Sequence, residues 1–142
     1  KGVLSVEKKL FVETNNGTNR QIRPVTPEQP LRIGDKVIVR LTIRTDREMN
    51  YVFLKDLRAG CFEPADQLSG PESRDGIWYY RSPKDVSENF FINRLPEGTF
   101  VLEYPVYVSR SGEYAGGIST IQCMYAPEFV SHTAGESLRI MP

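Results

Sequence analysis

Apolar residues recur at every second position through much of this chain, and that period constrains its fold more than any other feature. A two-residue period places alternate side chains on opposite faces of an extended strand. Across residues 36–44, Val37, Val39, Leu41 and Ile43 take one face, while Lys36, Arg40, Thr42 and Arg44 take the other. Ile38 is the one apolar residue on the polar face. Across residues 99–108, Phe100, Leu102, Tyr104, Val106 and Val108 share a face. Pro105 falls opposite them and has no N–H to give a ladder, so this strand is expected to lie at an edge or to bulge there.

Residues 4–12, 21–23, 50–57, 77–81, 87–93, 113–125 and 136–141 also read as strands. The breakers between them are specific. Asn16-Gly17 suits a tight turn because both residues tolerate positive φ. Pro24, Pro27, Pro30 and Gly34 mark an irregular segment, and residues 59–76 read as a long loop rich in Gly, Pro, Ser and Asp. Leu95-Pro96-Glu97-Gly98 and Ser109-Arg110-Ser111-Gly112 each read as a short hairpin-like turn. No window carries sustained i, i+3, i+4, i+7 apolar spacing, so long helices are not expected. Eight or nine strands without helices predict an all-β, Ig-like sandwich of two antiparallel sheets, with a closed barrel as the alternative.

The 142 residues suit one domain spanning the whole chain. Eighteen basic residues balance eighteen acidic ones, and the longest basic run is Lys8-Lys9, which argues against a nucleic-acid footprint. No stretch approaches the ~20 apolar residues of a membrane helix. The sequence opens on Lys1 rather than Met, so a natural chain extending upstream is expected.

The chemistry-bearing residues are sparse. His132 is the single histidine, so no metal site or triad built on several histidines is expected, and neither is a cofactor. Asp56, Glu63, Asp66, Glu72 and Asp75 gather around the expected long loop and read as solvated charge. Gly116-Gly117, inside a strand pattern, signals a bulge or a close backbone approach. Trp78, Tyr79 and Tyr80 have two readings: a stacking platform for a sugar or a partner, or a strand whose alternate residues enter the core. Asn16-Gly17-Thr18 matches a glycosylation acceptor, a tripeptide common in turns. Cys61 and Cys123 allow one disulfide or two buried thiols.

Three segments together resemble a known family. Leu31-Arg32-Ile33-Gly34-Asp35-Lys36-Val37 and its strand lead to Tyr51-Val52-Phe53-Leu54-Lys55-Asp56 and Ala59-Gly60-Cys61-Phe62-Glu63-Pro64. Phe90-Phe91-Ile92-Asn93-Arg94-Leu95-Pro96-Glu97-Gly98-Thr99 precedes Leu102-Glu103-Tyr104-Pro105-Val106, and Gln122-Cys123-Met124-Tyr125-Ala126-Pro127-Glu128 follows. In order and spacing they resemble the C-terminal macroglobulin-like domain of bacterial α-2-macroglobulins. The resemblance implies a non-catalytic, macroglobulin-like piece of an exported, periplasmic or envelope-associated protease trap. Its partners would be other domains of the parent chain, and proteases through the parent. Nucleic acid is not implied, and a membrane would be met only through an upstream anchor.

The family's thioester motif is Cys-x-Glu-Gln. Cys61-Phe62-Glu63-Pro64 begins alike, but Pro64 cannot supply the acyl group, so the thioester is expected elsewhere in the parent. The family's Met-Tyr-x-Pro-Glu segment matches Met124 to Glu128. It implies that Met124 and Tyr125 cover the thioester domain, although strand alternation would send one of the two into the core. Export would also make a Cys61–Cys123 disulfide reasonable, contributing about 3–4 kcal/mol. The competing reading is an adhesin-like or carbohydrate-binding sandwich that uses Trp78 and Tyr80.

Overall fold

The computed structural model describes residues 3–17, 19–65 and 69–142. Among them fourteen strands follow one another, with no helix: β1 (Leu4–Asn16), β2 (Asn19–Pro24), β3 (Leu31–Arg32), β4 (Lys36–Thr45), β5 (Met49–Leu57), β6 (Phe62–Pro64), β7 (Gly70–Arg74), β8 (Ile77–Pro83), β9 (Ser87–Leu95), β10 (Gly98–Val108), β11 (Gly112–Gly116), β12 (Ser119–Cys123), β13 (Ala126–His132) and β14 (Glu136–Met141). They form a five-stranded sheet in the order β2-β1-β4-β10-β6 and a six-stranded sheet in the order β13-β12-β5-β9-β8-β7. A small sheet, β11-β14-β3, sits where β10 ends: Gly34 N donates to Val108 O, and Ile33 N to Met141 O. Each sheet keeps open edges, so the barrel alternative is ruled out and the sandwich holds.

The alternation works as expected in the central strands. Val37, Val39, Leu41 and Ile43 of β4 meet Leu102, Tyr104 and Val106 of β10 in the core, as do Leu54 of β5 and Phe90 of β9. Leu41, Ile43, Leu54, Phe90 and Leu102 are fully enclosed, and each such side chain contributes roughly 1.5–3 kcal/mol of apolar burial. The hairpin at Asn16 forms as expected, with Asn16 opposite Asn19 and Gly17 at φ 70°. Thr18, which completes the glycosylation tripeptide, lies outside the described residues, as does Asp66.

Several expectations need correction. The expected eight or nine strands become fourteen among the described residues. Residues 113–125 divide into β11 and β12, while β3, β6, β7 and β13 are additional. Strands of two to five residues carry too few alternations to display a period, which is why residues 59–76 looked like one loop. The division at Gly117 has a steric cause, since a Cβ there would stand 1.9 Å from Leu57 O, so only glycine allows the approach. Neither expected hairpin turn closes one: Pro96 and Glu97 cross from β9 in the six-stranded sheet to β10 in the five-stranded sheet, and residues 109–111 do not close a hairpin either. They cross from β10 to β11, which pairs with β14. Pro105 is neither at an outer edge nor at a bulge, because β10 pairs with β4 throughout and with β6 at Val106–Val108. Pro105 O accepts from Ala65 N at 3.4 Å just beyond the last β10–β6 pair, so the missing N–H falls where that ladder ends.

Candidate interaction face

The outer face of the six-stranded sheet is aromatic. Register places Gln122, Phe53, Phe91, Tyr80 and Pro71 in one row across β12, β5, β9, β8 and β7. Phe53 stacks on Phe91 with centroids 4.8 Å apart. Trp78 lies two residues along from Tyr80 and is 71% exposed. The strand reading of the aromatic triplet holds: Ile77 and Tyr79 enter the core, and Trp78 and Tyr80 remain outside. Burial, with Glu72 beside it, pushes the Tyr79 phenol up to about 12.

Met124 and Tyr125 stand at the rim of this face. They form the two-residue turn joining β12 to β13, with Cys123 opposite Ala126. The expectation that alternation buries one of them is therefore overturned, because alternation stops where the strand does. Met124 is 51% exposed and Tyr125 79%. Met124 N donates to Tyr51 O at 2.8 Å, and the rings of Tyr51 and Tyr125 pack with centroids 4.8 Å apart. Tyr51, Phe53, Phe91, Asn93, Met124 and Tyr125 line a shallow, mostly apolar cleft of about 270 Å³. Tyr51 itself has φ 61°, a left-handed conformation that costs a bulky residue about 1–3 kcal/mol.

Tyr51, Phe53 and Phe91 were missed as surface residues in the sequence, yet a signal was there. Tyr51 to Leu54 and Phe90 to Ile92 are apolar at both parities, the pattern of strands that bury both faces. The polar stripe expected of a solvated face is absent from both runs.

Inside the sandwich, a second group of residues joins the two sheets. Asp56 is fully buried, contrary to its reading as solvated loop charge, because it shares the inward parity of Val52 and Leu54. Asp56 Oδ1 accepts from Lys8 Nζ at 2.7 Å and from Ser119 Oγ at 2.7 Å, and Oδ2 accepts from Tyr104 OH. Lys8 also donates to Gly117 O at 2.9 Å. Glu88 lies opposite Asp56 across β5 and β9 and accepts from Arg81 Nε, with Arg58 Nη1 3.9 Å from its other oxygen. Burial raises the Glu88 carboxyl above its usual range, against the pull of Arg81 and Arg58. Burial and the neighbouring Asp56 push the Tyr104 phenol well above its ordinary value. With Asp56, Glu88, Tyr104 and Ser119 all closed to solvent, the group acts as a cross-sheet tie, not as a reactive centre.

The remaining candidates lie outside the cross-sheet tie. Cys61 and Cys123 are free, buried thiols, which corrects the disulfide expectation. Cys61 O accepts from Ser109, beyond the last residue of β10. Cys123 pairs with Val52, and Val52 with Ile92, three residues before the turn that starts β10. The two thiols thus sit toward opposite ends of the sandwich. Burial raises the Cys61 thiol above its usual value. His132 is exposed and lines a broad groove of about 1240 Å³ between β1, residues 24–30 and β14.

A family model described as the bacterial alpha-2-macroglobulin MG10 domain matches residues 4–128. Among curated proteins, the chain is 28% identical over 109 residues to circularly permutated Ras protein 2 of Dictyostelium discoideum, covering 77% of this chain and 3% of that protein. Salmonella alpha-2-macroglobulin reacted with methylamine superposes with a TM-score of 0.75 at 21% identity, over 99% of this chain and 9% of that one. Escherichia coli alpha-2-macroglobulin activated by porcine elastase gives 0.76 at 18% identity, over 100% and 13%. Native Escherichia coli alpha-2-macroglobulin from domain MG7 to the C-terminus gives 0.73 at 17% identity, over 99% and 24%. At these identities the solved structures speak for the fold, and this chain spans less than a quarter of each of them.

Proposed function

The chain belongs to the bacterial alpha-2-macroglobulin MG10 domain family, and from that premise we propose that it is a non-catalytic domain of a longer protease-trapping chain, packed against the thioester-bearing domain and shielding it. The observation that carries this reading is the aromatic face with the exposed Met124–Tyr125 turn at its rim. Contiguous exposed apolar surface of this kind marks a contact site. A thioester is hydrolysed by water, so its cover must be dry, and a thioether beside an aromatic ring supplies apolar surface without an unpaired polar group. The partners are then the other domains of the same chain, and proteases through the whole. The whole would be exported to the periplasm or cell envelope, meeting a membrane only through an anchor elsewhere in it.

Reaction with methylamine and activation by elastase, the treatments named for two structural relatives, supply the assays. In the full-length parent, Met124→Ser and Tyr125→Ala should each raise methylamine incorporation several-fold. A rate unchanged in both variants removes this turn from the shield.

One observation favours a second reading, a carbohydrate-binding or adhesin-like module: Trp78 is 71% exposed beside Tyr80. Trp78 is the single tryptophan, so its fluorescence reports directly on stacking. Saturable quenching by a soluble oligosaccharide would favour the second reading, and an unchanged spectrum the first.

A further inference from the structure

Tyr51 and Asp75 are the non-glycine residues with positive φ among the described residues. Asp75 stands in the β7–β8 turn beside Gly76, where a left-handed residue is ordinary. Tyr51 stands inside β5, where an aromatic residue at φ 61° is an outlier. Such a conformation persists only where its surroundings over-determine it. Here the surroundings are the Met124–Tyr125 turn. Tyr51 O accepts Met124 N–H at 2.8 Å, its ring packs on Tyr125 at 4.8 Å, and Asn50 O takes Cys123 Sγ at 3.4 Å. The left-handed step also breaks the alternation of β5. Met49 and Val52, three residues apart, both face the core, and the Tyr51 ring between them lies outside.

We infer that Tyr51 is a positioning residue: its backbone and its ring together hold the Met124–Tyr125 turn in its protruding posture. The backbone fixes the base of the turn through one hydrogen bond, and the ring fixes the tip through one aromatic contact. The inference rests on the proposed reading of this turn as the contact point, but it concerns the posture of the turn alone, so it can be tested without any partner.

The test uses the 142-residue chain and three variants. Y51F keeps the ring. Y51N deletes the ring but tolerates positive φ, and Y51V resists positive φ. The readouts are hydrogen exchange at the Met124 amide and the ring resonances of Tyr125. Y51V should speed Met124 exchange by about tenfold or more, as local opening becomes easier. Y51N should shift the Tyr125 ring resonances toward those of a free tyrosine, and Y51F should restore them. Unaltered Tyr125 resonances in Y51N, or Met124 exchange within about twofold of the natural chain in Y51V, would overturn the inference. If Y51V fails to fold, the Y51N and Y51F pair still decides it. In the full-length parent, Y51N should raise methylamine incorporation in the natural background and add nothing in Y125A. A loosened turn with an unaltered rate would uphold the positioning role and refute the shield.

Discussion

The two outer faces of this sandwich differ in what they leave to water. On the five-stranded sheet many outward side chains are charged and paired: Arg40 with Glu103 at 2.6 Å, Arg44 with Glu7 at 3.4 Å, and Glu13 with Arg20 at 3.0 Å and Lys36 at 3.3 Å, while Arg74 of β7 reaches Glu103 from the other sheet at 3.3 Å. On the six-stranded sheet, Phe53, Phe91, Tyr80 and Trp78 occupy the corresponding outward places. Both sheets bury the same kind of apolar inner face, so the core does not account for the contrast. A face meant for solvent carries charge, and a face meant for a partner carries aromatic area. On the proposed reading, the outward residues of this domain record its place among other domains, while the inward ones record its own stability.

If that is right, stability in the isolated chain should depend steeply on the interior and weakly on either outer face. The interior sets the scale. Asp56→Ala leaves Lys8 without its buried carboxylate, and breaking a buried pair of this kind costs about 3–5 kcal/mol. Urea denaturation measures it, and a loss below about 1 kcal/mol would mean that the cross-sheet tie is not structural. On the charged face, a double-mutant cycle for Arg40 and Glu103 should return a coupling of about 0.2–1 kcal/mol, because Arg40 is partly solvated. The Arg40 guanidinium also lies 4.4 Å from the Phe11 ring centroid, so Arg40→Ala alone should cost more than Glu103→Ala. On the aromatic face, Trp78→Ser should change the stability of the isolated chain by no more than about 0.5 kcal/mol. A loss of about 2 kcal/mol or more at Trp78 would make it a core residue and end the contrast between the faces.

Much of this was legible in the sequence. Alternation in β4, broken only at Ile38, declared a strand with one wetter face, and the structure pairs its Arg40 and Arg44 with acids on neighbouring strands. The Met124–Tyr125 pair stood out as a segment, but its placement did not, because a pair at the end of a strand pattern reads as strand until the turn is seen. The aromatic face was half legible. Trp78 and Tyr80 were noticed, while Phe53 and Phe91 passed as ordinary members of the expected strands 50–57 and 87–93. Their partnership depends on β5 and β9 being neighbours, which no local pattern encodes. Asp56 was misread because nearness in sequence to loop acids outweighed its parity with Val52 and Leu54. Lys8, on the inward parity of Val6 and Leu10, is the matching charge; two opposite charges on inward positions of different strands are what a buried pair looks like before folding.

The smallest expected effect tests whether the charged face is paired or merely polar. Glu13 lies on the outward side of β1, between Arg20 of β2 and Lys36 of β4. Burial alone would raise its carboxyl, but hydrogen bonds and charge attraction from Arg20 and Lys36 outweigh burial and bring it below the usual 4.5. A carboxyl held lower in the folded chain than in the unfolded one binds fewer protons when folded, so it adds stability above the unfolded value. That contribution is lost as pH falls from about 4.5 through the lowered folded value. Glu13→Gln should therefore flatten the stability curve in this acid window and leave a constant offset above it. Salt should shrink the offset, because Arg20 is half exposed and its attraction is screened. Parallel curves for the natural chain and Glu13→Gln across the window would mean that Arg20 and Lys36 do not engage this carboxylate in solution. The five-stranded face would then be polar by composition alone, and its contrast with the aromatic face would no longer rest on paired charge.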